Sequence, residues 1–207
     1  MITTIGPHRV QHGNVMDGID ALMDGKKADL VYTDPPWGQG LVRYWQTKNK
    51  KDTGAEPPDL HHADLLNKLF SIAAEISKGT VIVEYGMKWR DEIALTGLKH
   101  GLKHRGCVMA HYRSGSKIRP CDIHLFSDHD DCVLTPAFAE GMEGLCDYPV
   151  VDWCFQNFAP KEGIVVDPMC GLGSTAKAAL DYGLTFYGNE FNSKRLEKTI
   201  AMLEAGK

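Results

Sequence analysis

Short segments rich in β-branched residues alternate with longer segments of helical periodicity along almost the whole 207-residue chain. The predicted strands are Arg9–His12, Leu30–Thr33, Thr80–Glu84, Cys107–His111, Asp122–Phe126, Ile164–Asp167 and Thr185–Gly188. The predicted helices are Ile19–Met23, His61–Ser77, Trp89–His100, Tyr148–Phe158, Ser174–Asp181 and Ser193–Ala205. This alternation is typical of an α/β fold with a parallel sheet. Within the second helix the apolar residues fall at helical spacing, which predicts one buried face.

Charge and hydropathy exclude several functional classes. The longest apolar runs, such as Gly163–Val166, are too short to span a membrane. The first nine residues lack the features of a secretory signal, so we expect a soluble, cytoplasmic protein with no membrane partner. The net charge of −4 argues against a general polyanion binder. The charges are segregated, however, because residues 93–121 carry six cations and no carboxylate, whereas residues 120–160 carry eight anions and no Lys or Arg.

The cysteines raise the question of a metal site. The chain has six cysteines and no Cys-x-x-Cys pair, so reduced thiols are the expected state. Cys121, His124, His129 and Cys132 nevertheless place four candidate zinc ligands within twelve residues. Residues three apart in a strand point to opposite faces, so a strand from Cys121 would separate the first two. We therefore predict no metal, with zinc at these four residues as the alternative.

The sharpest local feature is Asp34-Pro35-Pro36-Trp37, which follows the strand Leu30–Thr33. Two prolines fix φ and remove two N–H donors, which stiffens a turn at the edge where α/β proteins bind ligands. The carboxylate of Asp34 and the carbonyl of Pro35 are two acceptors, and Trp37 adds a flat ring. This set suits an exocyclic amino group on a planar base. A proline-rich strand exit with a surface tryptophan is the alternative.

A second candidate site lies after the strand Ile164–Asp167, in the segment Asp167-Pro168-Met169-Cys170-Gly171-Leu172-Gly173-Ser174-Thr175. The two glycines let the backbone approach a ligand closely, and Ser174 can cap the helix that follows. The segment lacks the third glycine of a dinucleotide fingerprint and the Gly-Lys-Ser/Thr of a phosphate loop. The next strand leads to Glu190, whose carboxylate is placed to accept hydrogen bonds from ribose hydroxyls. A solvated acid before a helix is the alternative for Glu190.

These segments resemble motifs of one enzyme family. Residues 34–37 resemble the catalytic Asp/Asn-Pro-Pro-aromatic motif of the amino-methyltransferases, which methylate exocyclic nitrogens. Residues 167–174 resemble their Asp-Pro-Phe-x-Gly-x-Gly-Thr motif for S-adenosylmethionine, and Gly188-Asn189-Glu190 is similar to the Gly-x-Glu that follows it. Val10–Asn14 is similar to the opening strand of the family. The helix that begins at Tyr148 is similar to the helix that precedes the cofactor strand in the family. The catalytic motif comes first, as in the permuted β class of DNA adenine-N6 and cytosine-N4 methyltransferases.

The resemblance implies a Rossmann-like methyltransferase fold with a mostly parallel seven-stranded sheet, helices on both faces and a circularly permuted motif order. It implies a single catalytic domain over residues 1–207 that transfers a methyl group from S-adenosylmethionine to adenine N6 in DNA. The implied catalytic residues are Asp34, Pro35, Pro36 and Trp37. The implied cofactor-binding residues are Asn14, Asp34, Asp167, Pro168, Met169, Cys170, Gly171, Gly173, Ser174, Thr175, Glu190 and Asn192.

Two long segments are predicted as loops. Gly38–Asp59 carries aromatic and basic side chains, and a loop of this kind is expected to be mobile without substrate. Asp128–Asp147 spans only about twenty residues where the family places its target recognition domain, so that domain is very short or absent. Specificity then comes from the first loop and the basic stretch Lys99–Arg119, or from a protein partner or a second copy of the chain. The residues predicted to bind substrate are Tyr44, Trp45, Lys48, Lys50, Lys51, Arg113, Lys117 and Arg119.

Three alternatives to DNA adenine methylation stay open at this point. They are adenine-N6 methylation of RNA or a free nucleotide, cytosine-N4 methylation of DNA, and a non-catalytic scaffold that keeps the fold. Trp37 favours adenine because Asp-Pro-Pro-Trp resembles the spelling in adenine enzymes. Glutamine-N5 methylation usually carries Asn-Pro-Pro-Tyr, and Asp34 argues against it.

Overall fold

The computed structural model describes residues 1–54, 56 and 59–206. Within these residues the strands are Ile2–Ile5 (β1), His8–His12 (β2), Ala28–Thr33 (β3), Ser77–Tyr85 (β4), His104–Ser114 (β5), Lys117–Ser127 (β6), Ile164–Asp167 (β7) and Thr185–Glu190 (β8). The α helices are Asp20–Met23 (α1), Gly38–Thr53 (α2), His62–Ile76 (α3), Arg90–Lys99 (α4), Pro136–Met142 (α5), Tyr148–Phe158 (α6), Ser174–Asp181 (α7) and Ser193–Ala205 (α8). None of these helices combines the length and the apolar character that a bilayer crossing needs.

The strands form one sheet in the order β1-β2-β8-β7-β3-β4-β6-β5. The pairs from β2 through β8, β7 and β3 to β4 are parallel. The pairs β1–β2, β4–β6 and β6–β5 are antiparallel. The prediction of an α/β fold with a mostly parallel sheet flanked by helices is therefore confirmed.

The predicted strand count of seven is wrong, because the described residues contain an eighth strand. This strand is β1, which pairs antiparallel with β2 so that Ile2 lies opposite Gln11 and Ile5 opposite His8. Only the last of its four residues is buried. An edge strand with so little burial carries no alternating apolar pattern, and its formation depends on the neighbouring strand.

The antiparallel strands β5 and β6 are each longer than predicted. The structure extends Cys107–His111 to His104–Ser114 and Asp122–Phe126 to Lys117–Ser127. Residues 112–114 and 117–121 form the outer part of a two-stranded hairpin, whose tip is exposed and basic. The apolar pattern of the sequence identified only the part of each strand that packs in the core. The hairpin tip buries little surface and therefore carries no such pattern.

The two faces of the sheet are covered by different helices. On one face, Tyr32 of β3 packs against Phe155 of α6 with ring centroids 6.3 Å apart. On the other face, Phe126 of β6 packs against Phe70 of α3 at 5.4 Å. The predicted buried face of α3 is confirmed, because the seven apolar residues that define this face are buried: Leu65, Leu66, Leu69, Phe70, Ile72, Ala73 and Ile76.

The strand order reverses between β3 and β7. The chain leaves β3 toward β4 on one side, whereas β7 lies on the other side and continues to β8. In open α/β sheets, ligands bind at the carboxyl ends of the strands at such a reversal. Leu30 lies opposite Val165 and Val31 opposite Val166, so Asp34 and Asp167 reach the same edge of the sheet.

The first predicted loop, Gly38–Asp59, is mostly helix, and that prediction is wrong. Its residues form the sixteen-residue helix α2, which ends at Gly54 with a φ of 73°. Only Gly38 and Val42 are buried in α2, so the helix presents no wide apolar stripe that periodicity could detect. Ala55, Pro57 and Pro58 of this predicted loop lie outside the described residues.

The second predicted loop, Asp128–Asp147, also contains a helix. The helix α5 begins with Pro136 after Thr135, whose hydroxyl oxygen accepts a hydrogen bond from the Phe138 amide at 3.1 Å. Phe138 and Met142 are buried and anchor the segment to the core. Threonine followed by proline is a helix-start signal, and its presence here contradicts a structureless segment.

We expect Gly97→Ala to lower the free energy of unfolding by about 1–3 kcal/mol, the usual cost of overpacking a core. A Cβ at Gly97 of α4 would lie 2.2 Å from the Phe126 ring. Gly40 of α2 is the matched control, because a Cβ there meets nothing within 4 Å and alanine favours a helix. Urea unfolding of both variants tests this, and equal stabilities would contradict the tight packing of α4.

Candidate active site

A cavity of about 870 Å³ opens at the strand reversal, beside α2. Its walls include the whole of Asp34–Trp37, the loop after β7 and Glu190 at the end of β8. Three segments that are far apart in the chain therefore meet in one space. The cavity is the candidate active site, and its walls contain most of the residues that the sequence singled out.

The catalytic candidate Asp34 faces the cavity and is oriented by Trp37. The indole Nε1–H donates to Asp34 Oδ1 at 2.9 Å, three residues away in the chain. Trp37 is only 8% exposed and packs edge-on against Tyr112 with centroids 4.5 Å apart. The alternative of a surface tryptophan is therefore wrong. Trp37 forms a wall of the cavity, and Oδ2 of Asp34 is the carboxylate oxygen that this indole leaves open.

The side chain of Tyr85 forms hydrogen bonds with the turn that carries Asp34. The Tyr85 hydroxyl donates to the Pro36 carbonyl at 3.2 Å and accepts from the Gly38 amide at 3.0 Å. The ring of His62 makes a further hydrogen bond to the same hydroxyl. Pattern analysis missed Tyr85 and His62, since neither lies in a motif. Their contacts fix the turn more rigidly than the two prolines alone.

A second carboxyl group lies close to Asp34. Asp34 is exposed toward the open cavity, and its pKa is raised well above its usual value, first because the surrounding protein displaces part of its water and then because the charge of Glu84 is near. Burial also raises the pKa of Glu84, to about 7. The hydroxyl of Tyr32 donates to Glu84 Oε2 at 3.0 Å. Two carboxyl groups in one apolar-walled space disfavour each other's ionisation.

Asp167 organises the loop after β7. Its Oδ1 accepts from the Met169 amide at 3.0 Å, and its Oδ2 accepts from the Thr175 hydroxyl at 2.7 Å. Asp167 is buried, and this burial raises its pKa to about 7. Both oxygens are engaged by the chain itself, so Asp167 shapes the loop between β7 and α7. Thr175 was predicted to bind cofactor, and in the structure its hydroxyl is one of the two groups that hydrogen-bond to Asp167.

The backbone conformation and the close packing at position 173 both favour glycine. Its φ is 91°, and a Cβ there would lie 2.9 Å from the Thr199 hydroxyl oxygen of α8. The helix α7 therefore has Gly173 at its N-cap without a side-chain cap, and the suggestion that Ser174 caps this helix is wrong. Ser174 lines the cavity instead, together with Pro168, Met169, Cys170 and Gly171.

Glu190 links the loop after β7 to the end of β8. Its Oε2 accepts from the Gly171 amide at 2.9 Å, and its Oε1 accepts from the Asn192 amide at 2.7 Å. The residue is only 6% exposed, so the alternative of a solvated acid is wrong. Arg195 Nη1 forms an ion pair with Oε1 at 3.9 Å. A carboxylate oxygen has two acceptor sites, so Oε2 retains capacity toward the cavity that Glu190 lines.

The two predicted asparagines differ in position. Asn14 lines the cavity and caps the short turn at Val15–Asp17, where its Oδ1 accepts from the Met16 amide at 3.1 Å. Asn192 is fully buried outside the cavity wall and caps α8. Its Nδ2 donates to Asn49 Oδ1 at 3.0 Å, which joins α8 to α2.

The predicted substrate residues divide into three groups. Tyr44, Trp45 and Arg113 line the cavity. Lys48 pairs with Asp52 at 3.1 Å and Lys50 with Glu56 at 2.6 Å, and neither lysine lines the cavity. The remaining residues are exposed outside the cavity wall: Lys51, Lys117 and Arg119.

The four candidate zinc ligands do not converge. The Cys121 thiol faces Glu84 Oε1 at 3.7 Å, whereas His124 contacts His104 at 3.2 Å on the other side of the strand. His129 bonds the Lys78 carbonyl, and Cys132 contacts Thr80. A different trio, Cys107, Asp122 and His124, brings its potential ligand atoms within 4.8 Å of one another. There, however, both oxygens of Asp122 accept hydrogen bonds from the guanidinium of Arg90, at 2.9 and 2.8 Å.

Solved structures share this architecture, although no protein-family model and no curated protein sequence matches the chain. M1.HpyAVI in its SAM complex superposes with a TM-score of 0.66 at 13% identity, over 94% of this chain and 98% of that one. TTHA0409, a proposed DNA modification methylase from Thermus thermophilus, was solved with S-adenosyl-L-methionine and gives 0.64 at 14%, over 96% and 94%. The cytosine-N4-specific PvuII DNA methyltransferase gives 0.60 at 11%, over 99% and 95%. The chain has the fold of these methyltransferases. At such low identity the likeness concerns the fold alone.

Proposed function

We propose that the protein transfers a methyl group from S-adenosylmethionine to the exocyclic N6 amine of adenine in DNA. The observation that carries the proposal is the single cavity that Asp34 shares with Glu190 and the glycine loop. An amine acceptor site and a nucleotide-cofactor site must adjoin for direct transfer, because the reacting atoms have to approach to about 3–3.5 Å. The likeness of fold to solved methyltransferases adds support.

The residues present fit S-adenosylmethionine. Glu190 retains acceptor capacity for ribose hydroxyls, and Asn14 offers a polar edge on the same wall. The backbone at Gly171 is open to the cavity, because a Cβ there would meet only the Met169 carbonyl oxygen, at 4.0 Å. We assign cofactor contacts to Asn14, Pro168, Met169, Cys170, Gly171, Ser174 and Glu190. Asp167 and Thr175 also line the cavity but hydrogen-bond within the chain, and Gly173 and Asn192 support the site from outside its wall.

Asp34 and Pro35 would hold the target amine. An aromatic amine is a weak nucleophile because its lone pair is delocalised into the ring. Hydrogen bonds from its two N–H groups to Asp34 Oδ2 and the Pro35 carbonyl favour a pyramidal nitrogen with an exposed lone pair. S-adenosylmethionine supplies an activated methyl group on a sulfonium. The contribution of the chain is positioning and electrostatic preorganisation, and the contacts of Trp37 and Tyr85 preserve both.

Cytosine-N4 in DNA is the second candidate target. Its amine presents the same two N–H donors, and one of the solved structures of this fold is cytosine-N4-specific. The choice of adenine follows the resemblance of Asp34–Trp37 to the adenine enzymes. Access to a base in duplex DNA requires base flipping, and Tyr44 and Tyr112 are aromatic residues in the cavity wall that can contact the flipped base.

The basic hairpin β5–β6 is the proposed DNA-binding surface. Lys117 and Arg119 are two residues apart in β6 and exposed, and Arg113 of β5 reaches the cavity wall. Phosphates beside a flipped nucleotide would meet this side of the protein. The segment between β6 and α6, where the family places its target recognition domain, contains only the helix α5. We therefore propose a single catalytic domain. Its specificity would come from α2, this hairpin, a protein partner or a second copy of the chain.

We expect the double variant Lys117→Ala/Arg119→Ala to weaken DNA binding and to flatten its salt dependence by about two units of slope, since each lost phosphate contact removes about one. Cofactor affinity should not change. The control is Lys27→Ala/Lys161→Ala, which removes the same charge near the amino ends of β3 and β7. Fluorescence anisotropy at several salt concentrations measures the slope, and equal slopes for the two variants would rule out this surface.

The product of the reaction tests the proposed function. Isotopically labelled S-adenosylmethionine is incubated with the protein and duplex DNA, single-stranded DNA, RNA or free nucleotides, and the nucleosides are analysed by mass spectrometry. We expect labelled N6-methyladenine from DNA. Labelled N4-methylcytosine would instead identify the N4 amine of cytosine as the target. Label in RNA or nucleotides alone would contradict DNA as substrate, and no label in any of them would contradict methyl transfer.

A further inference from the structure

Glu84 is a second acidic residue in the cavity wall, and no motif includes it. The strands β3 and β4 are parallel, with Tyr32 opposite Ile82 and Thr33 opposite Val83. The next residue of each strand, Asp34 and Glu84, therefore lies at the same level of the sheet edge. Both residues line the cavity, and Glu84 is 7% exposed. The register alone brings two carboxyl groups to the place where the amine would bind.

The immediate partners of Glu84 are neutral donors. The Tyr32 hydroxyl donates to Oε2 at 3.0 Å, and the Cys121 thiol donates to Oε1 at 3.7 Å. Among the residues that the structure describes, no Lys, Arg or His forms an ion pair with Glu84. The titratable groups that face it are Tyr32, Asp34, Cys121, Cys146, Asp147 and Cys154. A buried carboxyl group with no cation beside it has a high proton affinity.

We propose that Glu84 and Asp34 act as a carboxyl pair that takes up the proton released by the methylated amine. The inference rests on the proposed function. In the reaction the amine nitrogen bonds to the methyl carbon, and the carbon–sulfur bond breaks with its electron pair left on sulfur. The N–H bond then breaks, its electron pair stays on nitrogen, and the proton forms an O–H bond with the pair.

The pair differs from a single acceptor in the charge that it leaves in the cavity. With the sulfonium cation bound beside them, both carboxyl groups would be ionised before transfer, because a nearby cation favours the charged form. After transfer the two groups would share one proton. Asp34 alone would be left neutral after the transfer, whereas the pair retains one negative charge. A proton acceptor with a pKa near the working pH is also the most effective, and burial brings Glu84 to about 7.

The test compares Glu84→Gln with the wild type over a range of pH. The substitution keeps the shape of the side chain and removes its proton affinity, so we expect kcat to fall by about 10²-fold or more, the usual contribution of acid–base catalysis. The rising limb of the wild-type pH profile should move to lower pH, because Asp34 then titrates without a second charge nearby. Cofactor affinity by calorimetry should stay within about threefold. Glu84→Asp, which retains a carboxyl group, should recover part of the rate.

A second measurement requires no turnover, so it tests the carboxyl pair independently of methyl transfer. Carbon-13 NMR of the carboxyl groups in the free protein should show two coupled titrations in the wild type, and a lower pKa for Asp34 in Glu84→Gln. Glu75→Gln, an exposed acid of α3, is the control for both measurements. If the wild type is active and Glu84→Gln matches its kcat at every pH, the carboxyl pair is refuted. A wild type that transfers no methyl group while its two carboxyl groups titrate together refutes the proposed function instead.

Discussion

Asp34→Ala is expected to lower kcat by about 10³-fold, the scale of losing a preorganised electrostatic contact to the reacting group. The substitution removes the proposed acceptor for the amine and also the partner of the Trp37 N–H, 2.9 Å away. It leaves the contacts of Glu190 with the amides of Gly171 and Asn192 in place. S-adenosylmethionine should therefore still bind within about threefold of the wild-type Kd.

Two measurements separate catalysis from binding for this variant. Single-turnover methyl transfer to DNA reports the chemical step, and calorimetric titration with S-adenosylmethionine reports the cofactor. Asp64→Ala, which removes an exposed carboxylate from the first turn of α3, should match the wild type in both. If Asp34→Ala turns over normally on any nucleic acid, the carboxylate has no catalytic role.

Glu190→Ala is expected to raise the Kd for S-adenosylmethionine by about 10–100-fold, the worth of hydrogen bonds to a charged group. The loss has two parts. The proposed acceptor for the ribose hydroxyls is removed, and the amides of Gly171 and Asn192 lose their partner. The second part also predicts a lower melting temperature, because backbone N–H groups in a buried position are left unpaired.

Glu197→Ala controls for the removal of an acidic residue near the same helix, since this side chain is exposed on α8. Its cofactor affinity should equal that of the wild type. Glu190→Gln keeps one acceptor oxygen and should lie between the wild type and Glu190→Ala. A folded Glu190→Ala protein with an unchanged calorimetric Kd would show that Glu190 holds the loop only.

The sequence predicted the parallel core of the fold well, for a physical reason. Buried parallel strands consist of short runs of aliphatic, β-branched and aromatic residues, so β3, β7 and β8 were each recognisable from the sequence. The rule that ligands bind at carboxyl ends of strands then placed Asp34 and the loop after Asp167 at one edge. The structure agrees, because both line the same cavity.

The remaining parts depend on contacts that no local pattern shows. The helix α2 buries only Gly38 and Val42, so it lacked a visible apolar face, and β1 needs β2 beside it. Glu84 could have been noticed as an acid at the end of a β-branched strand. Its relation to Asp34 becomes visible only once the register of β3 and β4 is known.

The most direct test of the central claim is a crystal structure of the protein with S-adenosylmethionine bound. The amine nitrogen must lie about 3 Å from a carboxylate oxygen and about 3–3.5 Å from the methyl carbon. The methyl carbon should therefore lie about 4–6 Å from the Asp34 carboxylate and point toward it. The ribose should lie against Glu190. A cofactor bound outside this cavity, or a methyl group directed away from Asp34, would contradict the account.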